Sequence, residues 1–64
     1  MKLNVKANIP RPDDFYQQLI DMQRNLSEDE VQLANAKLIL IMANHIGDME
    51  ILSEAMKIAI PEKN

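Results

Sequence analysis

Polar and apolar residues alternate strictly from Lys2 to Ile9, which puts Leu3, Val5, Ala7 and Ile9 on one face of an extended segment. The alternation predicts a strand, yet the chain offers no second strand to pair with it, and a lone strand leaves its backbone groups without partners. The segment is therefore expected as an arm, loosely docked along the helices or added to a sheet edge of another chain. Pro10 and Pro12 should hold residues 9–12 extended and deny a helix there.

From Asp13 the period changes to that of a helix. Phe15, Leu19, Met22 and Leu26 fall within about 60° of arc on a helical wheel, with Gln17, Asp21 and Arg24 opposite and Tyr16 and Ile20 on the shoulder. Asp14 with Gln17 three residues later has the form of a capping pair, so the first helix is expected over about 13–25. Its end is set by Ser27, Glu28, Asp29 and Glu30, a capping box that opens the next helix.

The second helix, about 28–46, is the unusual one. Leu38 to Ala43 is an unbroken apolar run, and six positions at 100° each sweep more than a full turn of the wheel. Val31, Ala34, Ile41 and Met42 lie near Leu38, whereas Leu33, Ala36, Leu40 and Ala43 cluster roughly opposite, leaving Glu30, Lys37 and Asn44 as the one continuous polar seam. Gly47, the single glycine, ends this helix, and Asp48 caps a third over about 48–60, stopped by Pro61. Leu52, Ala55, Met56 and Ala59 form the apolar stripe of the third helix, widened by Ile51 and Ile58, and Glu50, Glu54 and Lys57 face water. The architecture expected is an all-α three-helix bundle, residues 13–64 as one helical domain behind an extended arm at 1–12.

Composition sharpens this into a question of support. Hydrophobic residues make up 47% of the 64, and apart from Phe15 and Tyr16 they are mainly Leu, Ile, Met and Ala, a helix-forming set. A domain near this size buries only about 60% of its unfolded surface, so it usually needs a staple. With no cysteine and one histidine, disulfides and a structural zinc site are out of reach. Association with another chain is the remaining support, through Leu33, Ala36, Leu40 and Ala43, or through the face of Leu38 and Ile41 if the other helices cover the first, with Val5 of the arm as a further contact. Ten acids against seven bases give a net charge of −3 without a basic cluster, so nucleic acid is not an expected partner. No apolar run reaches the length of a signal-peptide core or a membrane span, which gives a cytoplasmic expectation and no membrane.

Candidate chemistry changes little. His45 and Asp48, three positions apart, could form the orienting pair of a general base, but each residue has a structural reason to be there. His45 lies in a last helical turn, Gly47 supplies positive φ, and Asp48 caps a helix. His45, Gly47 and Asp48 are therefore read as a structural turn, and no catalytic residue, metal site or cofactor is expected. The string from Gly47 to Leu52 has the form of the helix start of acyl carrier proteins, which carry a serine after the aspartate; Met49 stands there instead.

From Asp13 to about Ala59 the chain resembles a family of small uncharacterised proteobacterial proteins known as a domain of unknown function. The likeness runs through Asp13, Asp14, Phe15, Tyr16, Leu19 and Ile20, then Leu26, Ser27 and Glu28, then Ala43, Asn44, His45, Ile46, Gly47 and Asp48. That resemblance implies genes beside flavin-dependent aromatic hydroxylases and hence an accessory subunit; it implies no functional residue. The function expected is a non-enzymatic helical interaction protein that completes its core with a copy of itself, as a homodimer, or with a larger cytoplasmic enzyme. The alternative is a small regulatory protein, antitoxin-like or a transcription cofactor.

Overall fold

A computed structural model describes residues 2–62; Met1 of the expected arm, and Lys63 and Asn64 of the expected helical domain, lie outside the described residues. It is all-α, with three helices: α1 (Pro12–Gln23), α2 (Glu28–Ile46) and α3 (Met49–Ala59).

The start of α1 differs from the sequence expectation. Pro12 opens the helix rather than denying it, Arg11 is the N-cap, and no side chain, Asp14 included, caps the first turn. A proline at the first helical position loses nothing by lacking an N–H that would be unpaired anyway, and its ring holds φ near the helical value. Asp13 and Asp14 sit in the first turn, where the helix dipole favours anions, and Arg11 Nε approaches Asp14 Oδ2 at 3.6 Å. The helix also stops earlier than residue 25. Arg24 N–H donates to Asp21 O and Leu26 N–H to Gln23 O, a tightening of the last turn that releases the chain toward Ser27.

α2 and α3 are set by the caps read in the sequence. Ser27 Oγ accepts from Glu30 N–H at 3.2 Å while Glu30 Oε1 accepts from Ser27 N–H at 3.0 Å, a complete capping box. At the other end Gly47 takes φ 65°, a left-handed conformation that only glycine adopts cheaply, and its N–H donates to Ala43 O at 2.9 Å. Asp48 Oδ1 then accepts from Glu50 and Ile51 N–H, so a connection of two residues both closes α2 and opens α3. The chain leaves the helix at Ile60, just before Pro61.

The arm is not a strand. No strand occurs among the described residues, and Lys6 N–H donates to Asn4 Oδ1 in a local turn, because no second extended segment takes up the backbone groups.

The helices enclose little. Ile51, 9% exposed, is the single buried residue described, and Leu19, Gln23 and Leu26 of α1 and its exit, Val31, Ala34, Asn35 and Leu38 of α2, and Leu52 and Ala55 of α3 are partly covered. The chain exposes 6334 Å², whereas a compact monomer of 7.3 kDa should expose roughly 4,200 Å². Its radius of gyration is 13.8 Å against about 10.7 Å for a compact chain of this length. The three helices form an open arrangement that leaves large apolar side chains of each exposed, most of them on α2 and α3.

Candidate interaction surface

An uncovered apolar surface is built by α2 and α3 together. On α2 the layer of Val31, Ala34 and Leu38 is half-buried, and Gln23 Nε2 donates to Asn35 Oδ1 at 3.1 Å, tying the end of α1 to this part of α2. That leaves the rest of the wheel outward. The short turn at Gly47 and Asp48 brings α3 back so that residues of its apolar stripe and of the C-terminal half of α2 line one groove.

The result is a groove of about 480 Å³, lined by Ile39, Leu40, Met42, Ala43 and Ile46 of α2 and by Met49, Leu52, Ala55, Met56 and Ala59 of α3. Every lining side chain is apolar. Ala43, Leu52 and Ala55 are half-buried and form the floor, while Ile39, Leu40, Met49 and Met56 stand exposed along the rim. The charged side of α3 borders it: Glu50, Ser53, Glu54 and Lys57 line a shallow hollow that shares Met49 with the groove.

The structure sorts the candidate interface residues. Leu33 and Leu40 are 56% and 70% exposed, Ala36 is exposed beside them, and Ala43 is in the groove floor. Leu38 is half-buried, whereas Ile41, expected to share its face, is 66% exposed; the hydrogen bond from α1 to α2 is made earlier, at Asn35. Val5, 76% exposed, is not among the groove residues. The sequence reading did not single out Ile39, Ile46, Met49 or the α3 stripe as surface. Their signal was present as two apolar stripes flanking a two-residue turn; what was absent was the angle between the helices.

The polar turn is organised by backbone hydrogen bonds. His45 is exposed, Gly47 has the left-handed conformation, and the Asp48 oxygen is occupied by two backbone N–H groups. No group of three or more His, Asp or Glu positioned to hold a metal occurs among the described residues. The shifted carboxylates are structural too. Arg24 Nη2 donates to Asp21 Oδ1 at 2.7 Å and Gln17 adds a second bond, which together hold that carboxyl below the usual aspartate value. Glu30 is likewise held low, by the Ser27 backbone N–H and then its hydroxyl. No described helix is long and apolar enough to cross a membrane.

One family model, described as a protein of unknown function (DUF2783), matches residues 3–60. No curated protein and no solved structure matches the chain.

Proposed function

Since the chain belongs to the DUF2783 family, whose description assigns no activity, we propose from its surface that it is a non-enzymatic interaction protein whose fold is completed by another polypeptide. The observation that carries this reading is the uncovered area, about 2,100 Å² more than a compact monomer of this mass should expose. Exposed apolar patches beyond a few hundred Å² mark association surfaces in soluble proteins. The cover is a copy of the chain or a larger cytoplasmic enzyme, for which the family resemblance favours a flavin-dependent aromatic hydroxylase.

Amide exchange on the purified chain, diluted until it has the mass of a single polypeptide, tests this. The C-terminal half of α2 should exchange at rates close to those of a free peptide, since most of its apolar side chains stand exposed in one chain. Strong protection there in the single chain would overturn the proposal.

A further inference from the structure

Resting on that reading, we infer that the occupant of the α2–α3 groove is a second copy of this chain, the two packed face to face about a two-fold axis. Area is the first ground. Obligate homodimers bury about 1,000 to 2,500 Å² on each partner, and the excess of about 2,100 Å², summed over the whole chain with the arm and α1 included, is large enough to contain such a contact.

Shape is the second. A two-fold contact needs one patch that is both knob and hole. Here the rim of Leu40, Ile39 and Met56 stands beside a floor of Ala43 and Ala55, so the large side chains of one copy have alanine-floored space to enter on the other.

Charge is the third. A face that selects an unlike partner usually carries charged groups that meet their opposites, and this groove has none. With a net charge of −3, two copies repel unless their acids are kept apart. Glu50 and Glu54 are not among the groove's lining residues and share the adjoining hollow with Lys57. An interface this devoid of polar lining matches the obligate class, which resembles a domain core cut in two.

Light scattering on the purified chain at micromolar concentration should give twice the 7.3 kDa chain mass. Leu40→Glu should return the mass to that of one chain. Because Leu40 is exposed in the single chain, its replacement leaves that fold's own contacts alone. Lys57→Gln, on the charged side of α3, should leave the doubled mass unchanged. The chain has no cysteine, so Ala43→Cys offers a single thiol that a short bismaleimide should join into a covalent pair, and Lys57→Cys should not be joined. A single-chain mass with a broad, non-cooperative melt would overturn the second copy and leave cover by a different protein standing. A doubled mass indifferent to Leu40→Glu, with no link in Ala43→Cys, would place the contact on another face and overturn this inference alone. A single-chain mass with sharp cooperative unfolding would sink both this inference and the proposed function.

Discussion

The two halves of α2 live in different surroundings, and the more apolar half, from Ile39 to Ile46, is the less covered one. Toward its start, Val31, Ala34 and Leu38 are half-covered by α1 and its exit, and the Gln23 to Asn35 hydrogen bond fixes the approach. Toward its end, Ile39, Leu40 and Ile46 stand exposed beside a groove that α3 borders without filling. The first half is organised as a small core; the second is organised as a surface that one chain leaves unfinished. Hydrophobic content therefore does not distinguish core from interface in this molecule. The reach of the neighbouring helix does.

The largest effect should come from the one side chain that a single copy buries. Ile51→Ala is expected to cost about 2 to 4 kcal/mol by chemical denaturation, from lost burial and the void left behind. Leu40→Ala probes the opposite case. Diluted to single chains, it should change stability by less than about 0.5 kcal/mol, as exposed substitutions do. At concentrations where copies are associated it should cost about 2 kcal/mol, because Leu40 then sits in a filled contact. The same small loss at every concentration would erase the contrast between the halves.

The turn that separates α2 from α3 should respond next. Gly47→Ala meets no obstruction, since the nearest atom to an added Cβ is Asn44 O at 3.7 Å, so its cost is the left-handed backbone alone, about 1 to 2 kcal/mol. Asp48→Ala should cost about 1 kcal/mol through loss of the bonds to Glu50 and Ile51 N–H. Both losses should appear as a lower melting temperature. If Gly47→Ala were neutral, the groove's opening angle would not depend on this turn.

The legible and illegible parts of this fold divide along the range of the interactions. Ser27 with Glu30, Gly47 and Asp48 act through backbone groups within four residues, and each did what its chemistry predicts, giving α2 bounds that match expectation. Local rules failed where two of them competed. Pro12 could end an extended stretch or open a helix, and only the structure shows that it opens one. The alternation from Lys2 to Ile9 met its pattern but had no strand to pair with. For the candidate surface, the outward position of Leu33, Ala36 and Leu40 was readable as the second apolar face of α2, while the groove itself was not. It exists through the angle between α2 and α3, and an angle set across Gly47 leaves no periodic trace in the sequence.

Acid should give the smallest effect, and it belongs to the organised half. Glu30 accepts the Ser27 N–H, and that bond, with the hydroxyl, favours the ionised carboxylate and depresses its pKa below the glutamate value. Unfolding releases the carboxylate to its higher ordinary pKa, so the unfolded chain takes up the proton first as the pH falls. The stabilisation is therefore fully present above the unfolded value, near pH 4.3, and is lost as the pH drops through the lower folded value. Glu30→Gln keeps an acceptor for the Ser27 N–H but removes the titration. Melting temperatures of the two forms measured from pH 7 to pH 3 should converge toward the acid end, the native form losing its advantage there. A gap that stayed constant across this range would mean that the Ser27 to Glu30 box draws nothing from the carboxylate's charge, and that its two hydrogen bonds alone cap α2.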